Sequence, residues 1–275
     1  MDAQAQISEV ISSEQARKIL AQDCREFLGE GVSARVFAAR WKGQEVVIKV
    51  SKTRHWLPLQ READFLIRLR GLAGAPKLLG VCLLPPILIM SRAPGRPLWQ
   101  VLEAGDTSDQ FKVRCARELS QKVYQMHQVF IIHNDLKSDN IIVNKVGENP
   151  EVSIIDFGLA TFQGQSLGLL PDPVTERKSF HVAPELWRGA VSTSATDRYS
   201  LGFVFEDIIR SLNTPTSVKA LTTLSLCLRS REPRMRPPFP AIFHTLDQEV
   251  VPQTTSILAS ACQWMAQTVK NLTFQ

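Results

Sequence analysis

Residues 131–144 read IIHNDLKSDNIIVN, a stretch that sets Asp135, Lys137, Asp139 and Asn140 between two runs of isoleucine and valine. Such groups must be held against a core without being buried in it, because an unpaired buried charge is strongly unfavourable. A loop built this way is either a tight polar turn or a reaction site. The rest of the chain decides between them.

With 275 residues, 44% of them hydrophobic, the chain can bury a substantial core as one large domain or two closely packed lobes. Its formal charge of +5 comes from 32 basic and 27 acidic residues, mostly interspersed, so only a mild attraction to anions follows. Nucleic acid is not indicated. The densest basic stretch, Arg229, Arg231, Arg234 and Arg236, is broken by Glu232 and Pro233 and reads as a solvated loop. Five cysteines, Cys24, Cys82, Cys115, Cys227 and Cys262, stand far apart without CxxC spacing, which fits reduced thiols in a cytoplasmic protein. The start, MDAQAQISEV, has no basic and apolar signal pattern, and LLGVCLLPPILIM is too short to span a bilayer.

Along the chain, residues 7–23 carry apolar positions at helical spacing, with Ser12 and Gln15 placed for a capping box. VFAARW, a WKGQ turn and EVVIKV predict a hairpin, and Leu59, Ala63, Leu66 and Leu69 predict a helix after Pro58 that ends before Gly71. KLLGVCLL and PILIM predict a second hairpin. Beyond residues 91–95 the pattern turns helical, in DQFKVRCARELSQKVYQMHQV, TDRYSLGFVFEDIIRSL and SVKALTTLSLCLRS. Strands first and helices after predict an α+β protein with a small antiparallel β lobe carrying one main helix and a larger, mainly helical lobe.

Two further stretches bear on the opening loop. LGEGVSARVF places Gly29 and Gly31 between strand segments, where absent Cβ atoms let backbone N–H groups approach phosphate oxygens. The same glycines also suit a plain turn. Lys49 ends the apolar strand VVIK and either faces an anion or reaches out to water. IIDFGLA sets Asp156 at the end of a strand-like run, a position suited to a divalent cation that needs only one or two carboxylates.

Taken in order, these motifs resemble the eukaryotic protein kinase family from about Phe27 to Phe239. Gly29 and Gly31 match the glycine-rich loop, with Ala34 in place of its third glycine; Lys49 matches the strand lysine and Glu62 its ion-pair partner. His133, Asp135, Lys137 and Asn140 match the catalytic loop, and Asp156, Phe157 and Gly158 the metal-binding triplet. Ala183, Pro184 and Glu185 match the end of the activation segment; Asp197 matches the anchor of the catalytic loop and Arg236 the partner of Glu185. The resemblance implies ATP and Mg²⁺ as cofactors and a protein with a Ser or Thr hydroxyl as acceptor. In that reading Asp135 orients the acceptor hydroxyl and takes its proton, while Lys137 steadies the transferred group. Asn140 and Asp156 hold Mg²⁺, and Lys49, fixed by Glu62, grips the phosphates. Adenine would lie among Val36, Val47, Met90 and Ile142, against the backbone of Ser91 to Ala93. Leu66, Leu78, His133 and Phe157 would form a hydrophobic spine, which gives His133 a structural part.

Under this resemblance residues 24–250 form the kinase domain, with lobes of about 24–91 and 92–250, flanked by helical extensions at 1–23 and 251–275. Departures bear on regulation. Position 134 is Asn where most of the family has an arginine that pairs with a phosphorylated activation segment, so a phosphate on Thr175 or Ser179 has no obvious partner there; Ser166, Thr175 and Ser179 are candidate modification sites because the segment is expected to be exposed. Ala34 stiffens the glycine loop without removing a ligand. Arg236 follows Glu185 by only 51 positions, and NTPTS alone separates two helices that the family usually joins through a third. The rival readings are a pseudokinase, or nucleotide-binding scaffold, and a small-molecule kinase on the same fold. The DLKSDN form is similar to Ser/Thr rather than tyrosine kinases.

Overall fold

The computed structural model describes residues 9–170, 172–213 and 215–250. The small lobe runs β1 (Glu9–Val10), α1 (Ser13–Lys18), β2 (Cys24–Glu30), β3 (Ala34–Trp41), β4 (Gln44–Ser51), α2 (Leu57–Leu69), β5 (Leu78–Leu83) and β6 (Pro86–Ser91). Its six strands lie in the order β1-β5-β6-β4-β3-β2. The β3–β4 hairpin turns at Lys42 and Gly43, both at positive φ, as the twist of a tight hairpin requires.

Residues 7–23 predict one continuous helix, and the structure divides the described part of it. Glu9 and Val10 pair in parallel with Gly80 and Val81, α1 follows with the expected Ser12–Gln15 capping box, and Ile19–Asp23 form a single π-helical turn. The backbone of β1 takes the open edge of β5, and this outweighs helix propensity at its two residues. Ile11, Ala16 and Ile19 then cover the outer face of the sheet, packing with Val46, Ile48, Ile87 and Ile89. The expected C-terminal helix over 251–275 lies outside the described residues.

Covering one face of β4 decides what its other face can do. Successive side chains on a strand alternate between faces. With Val46 and Ile48 buried under α1, Val47 and Lys49 must face the other lobe. Cross-strand register places Val36 and Leu88 beside Lys49, and Ala38 and Met90 beside Val47.

The large lobe contains β7 (Arg96–Pro97), α3 (Leu98–Ala104), α4 (Asp109–Gln128), β8 (Ile131–Ile132), β9 (Ile141–Val146), β10 (Asn149–Ile154), β11 (Thr161–Phe162), α5 (Pro173–Lys178), α6 (Ser194–Arg210), α7 (Pro215–Leu228) and α8 (Phe239–Val250). Phe111, Cys115, Leu119, Val123 and Met126 form the buried stripe of α4. One hydrophobic cluster runs through both lobes, joining Leu66, Leu78 and Leu88 to Ile141, Phe157 and Leu201. The link between the lobes passes Gly95 at φ 106, where an added Cβ would sit 2.2 Å from the Val143 carbonyl oxygen, so only glycine fits. Residues 211–214 are all that join α6 to α7, as the short NTPTS spacing predicts. Among the described residues no helix is long and apolar enough to cross a membrane, and Cys82, Cys115 and Cys227 are free thiols.

Candidate active site

Glu62 lies on the apolar stripe of α2, one turn from Leu59 and Leu66, and is as buried as they are. A carboxylate in that position needs a cation, and the cleft-facing Lys49 supplies it. Lys49 Nζ lies 2.7 Å from Glu62 Oε2 and 2.9 Å from Asp156 Oδ1, so β4, α2 and the segment after β10 meet at one ammonium. Burial alone would lower the pKa of Lys49; the carboxylates of Glu62 and Asp156 outweigh it and raise the pKa, so the lysine stays charged. Burial likewise acts to raise Asp156, but the Lys49 ammonium outweighs it and holds this carboxyl below its usual range. Asp156 has φ 64, a left-handed conformation that aspartate tolerates better than most residues.

The opening stretch forms the loop between β8 and β9, closed by a 3₁₀ turn at Ser138–Asn140. Its support comes from below. Asp197, fully buried near the start of α6, accepts from His133 N and His127 Nε2 at 2.9 Å on Oδ2, and from Asn134 N at 2.8 Å on Oδ1. Burial pushes the Asp197 pKa up, yet the hydrogen bond from His127 and the neighbouring imidazoles lower it overall. His133 is structural, as expected: its Nε2 donates to the Ile155 carbonyl at 3.1 Å and its ring meets Phe157 edge-on at 5.0 Å.

Above that support, Asn140 Nδ2 donates to the Asp135 carbonyl at 2.8 Å and to Asp135 Oδ2 at 2.9 Å. The amide nitrogen is thereby used, which leaves Asn140 Oδ1 as the oxygen of this side chain not committed to Asp135. Asp156 Oδ1 accepts from Lys49 and, at 3.3 Å, from Gly158 N; among the described residues Oδ2 has no such partner. Two oxygens from neighbouring elements match the hard-donor chemistry of Mg²⁺, which takes one or two protein ligands and completes its shell with water and phosphate. Lys137 Nζ lies 3.1 Å from Asp135 Oδ2. Although burial acts to raise the pKa of Asp135, the hydrogen bond from His181 and the charge of Lys137 bring it down to about 2.

Val36, Val47, Lys49 and Met90 share one face of the sheet, and Ile142 lies in the other lobe, paired with Pro97. Ser91 and Ala93 are half-buried on the link between the lobes. The Ser91 hydroxyl accepts from Lys77 N at 2.8 Å, so its side chain is turned away to that partner. In the glycine loop, Gly29 adopts φ 153 within a bulge of the β2–β3 pairing. Gly31 N donates to Ala34 O at 2.9 Å and closes the loop.

Three features go beyond the sequence reading. Asn134, at φ 65, donates through Nδ2 to the Leu159 carbonyl and to Thr161 Oγ1, both at 3.0 Å, and so ties β11 to the loop. His181 Nε2 donates to Asp135 Oδ1 at 2.7 Å, a contact that no local pattern announces because 46 residues separate the pair. Thr175 lies within α5, a short helix absent from the sequence reading. The Glu185–Arg236 pair forms as expected: Arg236, fully buried, donates through both terminal nitrogens at 2.5 and 2.8 Å and through Nη1 to the Ala195 carbonyl at 2.9 Å.

Comparison with known proteins agrees with this geometry. The protein kinase domain family matches residues 23–223. A probable serine/threonine-protein kinase of Dictyostelium discoideum is 27% identical over 235 residues, covering 80% of this chain and 14% of its own length. A second from that organism is 27% identical over 260 residues, 90% of this chain and 26% of its own. Mitogen-activated protein kinase kinase kinase 7 of Bos taurus is 27% identical over 201 residues, 68% of this chain and 32% of its own. The chain thus spans about a third or less of each of these relatives. By the extent of the family match and the order of its motifs, this chain belongs to the protein kinase domain family.

Proposed function

We propose that the chain transfers the terminal phosphoryl group of ATP to Ser or Thr hydroxyls of proteins, in a site that holds Mg²⁺. The observation that carries this reading is the meeting of Lys49, Glu62 and Asp156 within 2.9 Å, beside Asp135, Lys137 and Asn140. No element holds more than three of the six, so a purely structural ion pair would not require the set. Asn140 Oδ1 and Asp156 Oδ2 hold the metal, and Lys49, kept charged and aimed by Glu62, binds phosphate oxygens. When bound, Mg²⁺ neutralises phosphate charge as it develops. Asp135 orients the acceptor hydroxyl and accepts its proton, with Lys137 stabilising negative charge beside it. A carboxylate with so low a pKa is a weak base, so its main contribution is to fix the direction of attack. Val36, Val47, Met90 and Ile142 enclose the adenine, and the backbone from Ser91 to Ala93 bonds its edge. The free thiols and the Ser/Thr kinase relatives favour a cytoplasmic enzyme acting on protein.

The test incubates purified protein with labelled ATP, Mg²⁺ and a generic basic protein, beside Asp156→Ala, and analyses the labelled amino acids. Expected is label on Ser or Thr that falls on the order of 10³-fold in the variant. Thermal stabilisation by nucleotide without any transfer would overturn the enzymatic reading in favour of a scaffold. Label found only on tyrosine, or only on a metabolite, would overturn the acceptor class.

A further inference from the structure

Asp135 is held from several sides. Asn140 Nδ2 and Lys137 approach Oδ2, the backbone N of Asp135 donates to His133 Nδ1 at 3.2 Å, and His181 Nε2 bonds Oδ1 at 2.7 Å. The first three partners belong to the loop that contains Asp135 itself. His181 comes instead from the segment between α5 and α6, two residues before Ala183. Its place is fixed independently of any acceptor: its carbonyl accepts from Ser200 Oγ of α6 at 2.7 Å, and Val182 and Ala183 pack with Leu186 and Trp187 in a separate small core. The imidazole is buried. Because an ionised carboxylate only accepts, Nε2 must carry the hydrogen, which selects one tautomer.

We propose that His181 is a positioning residue for phosphoryl transfer: it anchors Asp135 Oδ1 and so sets the plane of the carboxylate from the activation segment before an acceptor arrives. This inference rests on the phosphotransfer reading of the site. It also explains how the segment is ordered without a phosphate. Asn134 ties its beginning to the catalytic loop through Leu159 and Thr161, and His181 ties its end. When the segment is displaced, Asp135 loses its Oδ1 partner and can turn away from the direction of attack. Held at Oδ2 alone by Asn140 and Lys137, the carboxylate can pivot about that anchor and shift Oδ1 out of line, and errors of about 1 Å in a reacting group are worth up to ~100-fold in rate.

The decisive measurement compares kcat and KM for ATP in the parent, His181→Phe and His181→Gln. Phenylalanine fills the ring volume without a donor; glutamine places an amide N–H close to the imidazole Nε2 position. Expected is a fall in kcat of roughly 10- to 100-fold in His181→Phe with KM for ATP within about twofold, and recovery to within about fivefold of the parent in His181→Gln. A parent-like kcat in His181→Phe, or a His181→Gln variant as slow as His181→Phe, would overturn the proposal. Should His181→Phe fail to fold, His181→Asn replaces it, since its amide is too short to reach Oδ1. Nitrogen-15 spectra of histidine-labelled protein supply a readout independent of turnover: a slowly exchanging Nε2–H resonance, absent from His181→Asn and shifted in Asp135→Asn. A proton on Nδ1 of His181 with none on Nε2 would overturn the contact. A parent that transfers no phosphate while showing the Nε2–H signature would overturn the function of the contact together with the enzymatic reading; a parent that transfers normally without the signature would overturn this inference alone.

Discussion

Replacing Asp197 with asparagine keeps shape and volume but removes the charge on which the catalytic loop rests. In the parent, two backbone N–H groups and one imidazole N–H converge on this carboxylate. An amide oxygen placed where Oδ2 stands keeps the bonds to His133 N and His127 Nε2, now as neutral bonds weaker by about 1 kcal/mol each. Its NH₂ then confronts Asn134 N, and a buried donor left without an acceptor costs about 1–3 kcal/mol. The sum is about 3–5 kcal/mol, or a fall in Tm of roughly 6–20 °C for a domain of this size. The pH dependence follows from the direction of the Asp197 shift. Its folded pKa is depressed, so its contribution is complete above the unfolded value near 3.9 and is lost as pH falls through the folded value. The gap between parent and Asp197→Asn should therefore be full near pH 7 and shrink below about pH 4. Thermal unfolding followed by circular dichroism from pH 7 down to pH 3.5 measures both quantities. A variant within 2 °C of the parent at pH 7, by the same ~1 kcal/mol-per-few-degrees scale, or a gap that widens in acid, would refute the assignment of Asp197 as the charged support of the loop.

Other outcomes follow from individual contacts. Arg236→Met should destabilise by about 3–5 kcal/mol by leaving Glu185 unpaired in its semi-buried position, while Glu185→Leu combined with Arg236→Met should recover much of the loss; urea unfolding of all three decides it. Ile11→Ala should lower stability by about 2–4 kcal/mol, because Ile11, between β1 and α1, packs in the outer-face cluster with Val46 and Ile48; an effect below about 1 kcal/mol would mean that this segment does not cover that face in solution. With Asn134 where a phosphate-pairing arginine would stand, Ser166→Ala, Thr175→Ala and Ser179→Ala should each retain activity within about twofold in the labelled-ATP assay. A large rise in rate on phosphorylating the segment would contradict this.

Much of the site was legible in the sequence because it is written in short local patterns. Gly29, Gly31, Asp135, Asn140 and Asp156 lie at or beside the ends of strands and short turns, Lys49 stands out as a charge in an apolar strand, and their order along the chain is itself a signal. Glu62 could be read only through the family resemblance; that it lies buried on the apolar stripe of α2 and pairs with Lys49 is visible in the structure. The continuous helix read over 7–23 was mistaken at its beginning for a physical reason: periodicity in apolar residues cannot reveal that a neighbouring strand has an open edge. Nothing local shows, either, that the Gly31 N–H closes the loop on Ala34.

By itself the sequence determined the two-lobed α+β layout, the family and the identity of the residues that meet in the cleft, since strand alternation, helical periodicity and motif spacing are properties of neighbours along the chain. The tertiary structure alone decided which partners the remaining groups took: His181 on Asp135, Asn134 on Leu159 and Thr161, β1 on β5. Those contacts join segments distant in sequence, and each depends on an acceptor or an edge that exists only once the surrounding elements have packed.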